Sequence, residues 1–156
     1  MKESLRLAKE ELKRADHLIY VSLKYTRTVD VIKSIVERLI NCLELSVTAL
    51  LHYAKNQKRI KEVPTLGRLK ADAARELYIS DQLVQNYLAF YQLLRKIDKA
   101  GFDRAQEYRR HVTMTVQLEE GPVEITIDII HDYYERTREF VMYVEKMNEG
   151  QLEGHE

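Results

Sequence analysis

Ile40-Asn41-Cys42-Leu43-Glu44-Leu45-Ser46-Val47-Thr48-Ala49-Leu50-Leu51 is the stretch on which the fold turns. Ile32, Val36, Leu39, Leu43, Val47, Leu50 and Ala54 recur at spacings that set one apolar stripe along a helix. Leu45 lies nearly opposite that stripe, flanked by Cys42 and Ala49. A helix apolar on several sides is either central in its own bundle or shared with a second copy of the chain. Both alternatives stand on the sequence. Thr28 is a natural N-cap, and the pattern runs unbroken to about Lys58, which makes a rod on the order of 45 Å long.

Working outward, Leu5, Ala8, Leu12, Ala15 and Ile19 form the stripe of an earlier helix, with Glu10, Lys13, Arg14 and His17 on its other side. After the long helix a basic loop with Pro64 and Gly67 leads to a shorter one, with Leu66, Leu69, Ala73 and Leu77 in register. Ser80 can cap the next helix, whose stripe includes Leu83, Val84, Tyr87, Tyr91, Leu94 and Ile97. Lys96 and Lys99 complement its dipole, and Gly101 can end it. Asp103 with Gln106 resembles a capping box and predicts one or two further helical turns.

The period then shifts to two. Val112, Met114, Val116 and Leu118 alternate with polar residues, Glu119-Glu120-Gly121-Pro122 makes a turn, and Val123, Ile125 and Ile127 alternate again. This is a β-hairpin, and it must pack on the helices or on another chain, because a lone hairpin is marginal in water. From Asp128 the helical period returns, with Ile130, Tyr134, Thr137, Val141 and Val144 inward. The expected fold is therefore all-α, an antiparallel bundle of four to five helices with a small β-hairpin before the last. It forms one domain over residues 1–150, with a disordered tail at 151–156.

Composition narrows the function. Hydrophobic residues make up 45% and charged residues 32%, which fits neither a disordered chain nor a membrane-embedded one. Met1-Lys2-Glu3-Ser4-Leu5-Arg6 has no apolar core of a signal peptide, and one cysteine, Cys42, fits a reducing compartment, so the expected location is the cytoplasm. A single thiol also rules out a thiolate zinc site. No P-loop, GxGxxG or nucleophile elbow is present, so no cofactor is implied. Asp128, His131, Asp132 and Glu135 share a face of the last helix but read as a solvated face, and no metal site is expected. The ten tyrosines read as core edges or interfaces.

The 25 cationic and 25 anionic side chains balance globally but not locally. Lys58, Arg59 and Lys61 belong to one basic stretch, Arg95, Arg109 and Arg110 to a second, and the chain is acidic from Glu119 onward. These six residues are the candidate contacts for RNA or nucleotide phosphates. Arg104 and His111 are the candidate catalytic pair: a guanidinium can stabilise charge building on phosphate, and an imidazole titrating near neutrality can move the proton.

With long antiparallel helices, a shorter pair, and Arg104 followed by His111 near the last helix, the chain resembles the HEPN superfamily. The resemblance implies a small helical bundle that is typically homodimeric. Active members cleave RNA without metal using an Arg, a polar residue and a His, while others accompany nucleotidyltransferases or serve as binding modules. For this chain it implies a homodimeric binding module contacting RNA or nucleotides, self-associating through the central helix and the hairpin. The alternatives are a metal-independent ribonuclease using Arg104 and His111, and an adaptor that recognises a partner protein through the acidic last helix.

Overall fold

The computed structural model describes residues 2–150, so the expected disorder of 151–156 concerns residues outside those described. Five helices and a small antiparallel sheet make up the described residues. Helix α1 (Lys2–His17) continues through a π-helical turn, Leu18–Ser22, and a last helical turn, Leu23–Tyr25. Then follow α2 (Val29–Asn56), α3 (Gly67–Leu77), α4 (Gln82–Lys99), β1 (Phe102–Ala105), β2 (Thr113–Leu118), β3 (Gly121–Ile125) and α5 (Ile127–Asn148).

Helix α2 is the axis. Each of α1, α3, α4 and α5 packs against it. Cys42 and Ala49, the flanks of the second apolar face, are wholly buried, and the Cys42 thiol donates to the Ala8 carbonyl of α1 at 3.3 Å. The chain's own helices thus cover Cys42 and Ala49, while Leu45 stays half-buried and lines an open surface pocket with Asn41, Glu44 and Thr48. Ser46, also wholly buried, donates to the Cys42 carbonyl at 2.9 Å, which satisfies its hydroxyl within the helix. The apolar residues of every helix and of the sheet join in one core.

Caps set the helix starts. The Thr28 and Thr126 side chains accept from Val31 N and Ile129 N, each at 3.3 Å, opening α2 and α5. Asp81, not Ser80, caps α4, accepting from Val84 N at 3.2 Å. The stripe expected of α3 is rotated. Leu66 and Leu69 are 64% and 46% exposed, and the wholly buried positions are Ala71 and Ala74. Small residues win because α3 lies close against its neighbours: a Cβ on Gly67 would stand 2.8 Å from the Tyr91 hydroxyl.

The β region is larger than a hairpin. The capping-box reading of Asp103 and Gln106 predicts one or two helical turns; residues 102–105 instead form β1, giving a sheet of order β1-β2-β3 with Phe102 opposite Val116 and Met114 opposite Ile125. Asp103 caps nothing: it accepts from Gln117 Nε2 across the strands at 3.3 Å, and Gln106 has a φ of +55° that no helix tolerates. The free edge of β2 offered these four residues a ladder, where a helix this short has too few bonds to offset its nucleation. Val112, Met114, Val116 and Ile125 are buried against the bundle, and Gly121, at φ +128°, makes the β2–β3 turn.

Candidate nucleic-acid interface

The chain folds so that one end of the bundle gathers four breaks in regular structure: the end of α1, the start of α2, the β1–β2 loop and the start of α5. Arg27 and Thr28 bridge the first two. The loop is tied to them by backbone, with Tyr108 N donating to the Arg27 carbonyl at 2.6 Å. It is tied again by charge, because Glu107 Oε2 accepts from Val29 N at 3.0 Å, a carboxylate on the positive end of α2.

Within the loop, Gln106 and Tyr108 both sit in the left-handed region, at φ +55° and +66°. That conformation is costly for a side chain as bulky as tyrosine, and such strain collects where a side chain must be aimed. Here it holds the Tyr108 ring out in water, 76% exposed, while Tyr25 at the end of α1 is 79% exposed. Of the two places expected for the tyrosines, core edge and interface, these two are not at a core edge. Tyr133, Tyr87 and Tyr91 do fit the core-edge expectation: their rings pack on Phe90, on Phe140, and beneath Arg95.

The cations around these rings fall in two groups. Arg104 is engaged: its guanidinium meets Asp30 at 2.8 Å and Glu107 at 3.5 Å and lies over the Phe102 ring. Lys24, Arg27, Arg109 and Arg110 have no ion pair among the described residues. Lys24 Nζ does lie over the Tyr25 ring, 5.9 Å from its centroid. Exposed aromatic rings beside cations that no carboxylate holds are what a single strand of nucleic acid needs, since bases stack on the rings while phosphates meet the charges.

No family model, curated protein or solved structure matches the chain. The site is therefore read from its own geometry.

That geometry divides the residues expected to share one surface. Arg109 and Arg110 lie at the start of α2. Lys58, Arg59 and Lys61 lie beyond its end, 28 residues away along the helix and so roughly 40 Å off. Arg59 is also occupied, donating to the Leu77 carbonyl and stacking on the Tyr78 ring. Arg95, over the Tyr91 ring, belongs to the flank between them.

Arg104 sits on β1, and His111 lies exposed in the turn before β2. The residue after the arginine is Ala105, not a polar one. Three acids of α5 are paired: Asp132 with Arg136 at 3.0 Å, Glu135 with Arg138 at 2.9 Å, and Glu145 with Lys9 of α1. His131 packs edge-on against Tyr20, with centroids 5.3 Å apart. Among the described residues no group of three or more His, Cys, Asp or Glu is placed to hold a metal, and no helix is long and apolar enough to cross a membrane.

Lys24, Tyr25, Arg27 and Tyr108 were missed as site residues. The one signal available was Tyr25-Thr26-Arg27 directly before the Thr28 cap, a polar and aromatic run at a helix junction.

Proposed function

We propose that the protein is a HEPN-like binding module that takes single-stranded RNA across the end of the bundle built from the close of α1 and the β1–β2 loop. The observation that carries the reading is the strained Tyr108, held exposed beside Arg109 and Arg110, which have no ion pair among the described residues. Binding is favoured over cleavage because Arg104, the guanidinium a cleaving pair requires, is committed to Asp30 and Glu107. Asp132 and Glu135 are paired with Arg136 and Arg138 within α5, which weakens the adaptor reading at those two positions.

Fluorescence anisotropy with a labelled oligouridine, over a range of salt concentrations, tests the proposal. Tyr108→Ala should weaken binding by about 1–3 kcal/mol, the worth of one stacked base. Arg109→Ala and Arg110→Ala should each lower the salt slope by about one. Wild-type affinity in all three variants would remove this end of the bundle as the interface, and preference for single-stranded DNA would replace the ligand.

The same reading makes the protein a homodimer. The exposed apolar side chains open to a second copy include Leu66 and Leu69 at the start of α3 and Ile79 and Leu83 around the α3–α4 turn. Light scattering at micromolar concentration should give twice the mass of the chain, falling to one chain in the double variant Leu66→Glu, Leu69→Glu. A single-chain mass for the wild type would refute it.

A further inference from the structure

Beside the exposed rings a pocket of about 190 Å³ opens between the π-helical turn of α1 and the first turns of α5. Arg27 belongs to both features. Its carbonyl receives Tyr108 N from the loop, and its side chain lines the pocket. Ile19, Leu23 and Ile127 make the apolar part of the wall. Tyr20 and His131, ring edge against ring, make the aromatic part. Lys24 and Arg27 supply charge, and no acidic residue lines the cavity.

Three features mark this as more than a surface dimple. The wall is built by a π-helical turn, a wider coil that appears frequently at functional sites. Tyr20, Lys24 and Arg27, four and then three residues apart, are thereby presented together. Finally, Arg27 Nε is buried and makes no hydrogen bond among the described residues, so a donor on a permanent cation points into protein with no acceptor.

The volume lies below the range of about 300–1,000 Å³ in which a whole cofactor is engulfed, so the pocket suits an end group. A phosphodiester within a strand carries one charge and must leave on both sides. A phosphate monoester carries about 1.5–2 negative charges near neutral pH and enters alone, matching two cations. Arginine and lysine both bind such a group, arginine through its planar fork and lysine as a point charge.

We infer that this pocket receives the phosphate monoester of a nucleotide, either the phosphorylated end of an RNA strand lying on the exposed rings or a free mononucleotide. The strand-end form rests on the RNA-binding reading; the mononucleotide form stands without it.

Two arms keep these apart. In the first, anisotropy compares one oligouridine bearing a 5′-phosphate, a 3′-phosphate or hydroxyls at both ends. One of the phosphorylated ends should bind about tenfold tighter than the hydroxyl-ended strand. Lys24→Ala and Arg27→Gln should erase that preference, so that each variant binds the phosphorylated and the hydroxyl-ended strands alike, whatever its overall loss of affinity. In the second, methyl NMR follows Ile19, Leu23 and Ile127 as uridine monophosphate or uridine is added without RNA. The monophosphate should shift these methyls and uridine should not.

RNA binding with no end preference and no methyl shift overturns the pocket and leaves the exposed-ring interface standing. Methyl shifts without RNA binding overturn that interface and leave the pocket as a mononucleotide site. Circular dichroism of both variants, expected to match the wild type, separates loss of the site from loss of the fold.

Discussion

Tyr108 shows how far one side chain can be set against the preference of its own backbone. A left-handed conformation costs an L-residue about 1–2 kcal/mol, and the ring recovers little of it while exposed to water. Glycine adopts that conformation freely but loses more chain entropy on folding. Tyr108→Gly should therefore stabilise the protein by about 0.5–1 kcal/mol in urea unfolding while weakening the RNA binding proposed above. A variant that gains stability and loses binding together would mark the strain as serving the ligand. Equal stability would mean that the loop accepts the tyrosine without cost. None of this was legible in the sequence, where Tyr108 is one of ten tyrosines and nothing sets its φ.

At the scale of elements, the legible and illegible parts separate by the range of the interaction that decides them. Thr28 as the cap of α2, the apolar period of α1, α2 and α5, and the alternation of β2 are local patterns, and each appears where its residues lie. Strand β1 is not local. Phe102-Asp103-Arg104-Ala105 shows no alternation and becomes a strand because β2 offers it an edge.

The rotation of α3 is decided at long range too, by the closeness of α2 and α4 at Gly67. There the Tyr91 hydroxyl donates to Glu44 Oε2 at 3.2 Å, and an added methyl would stand 2.8 Å from that hydroxyl and 3.1 Å from that carboxylate oxygen. Gly67→Ala should part this pair and cost about 1–2 kcal/mol by chemical denaturation, in spite of alanine's better helix propensity. A neutral or stabilising result would show that both side chains can swing aside.

For the molecule as a whole, the site was the least legible part. It is assembled from residues 24–30 and 104–111, and no window of sequence contains both. Charge counting found Arg109 and Arg110 but joined them to Lys58, Arg59 and Lys61 at the far end of α2, because a sum over segments carries no position in space.

The burial that encloses the core also sets a dependence on pH. The Cys42 thiol is pushed up to about 12 by burial and by Glu11. The Tyr134 phenol is raised to about 12 by burial and by Asp16, and the Tyr91 phenol to about 12 by burial and by Glu44. In the unfolded chain these groups release their protons near 8.5–10. Between about pH 9 and 12 the folded state thus binds more protons than the unfolded, so stability is complete below that window and falls as pH rises through it. Urea midpoints measured from pH 7 to 11 should be flat at first and then decline. Cys42 should resist thiol reagents at pH 8.5 until the protein is unfolded. A midpoint that holds to pH 11 would contradict the assignment of these groups to the interior.

Because α2 is wrapped by every other helix, it is finished early on the ribosome and protected late. Its apolar faces emerge by residue 56, yet α5, which covers one of them, is not synthesised until residues 127–148 have been added. Until then the nascent chain carries an open greasy rod, a client for holdase chaperones and a nucleus for clumping. Stopping translation after Glu124 should yield inclusion bodies, and a separately expressed peptide spanning residues 125–150 should bring part of that material back into solution.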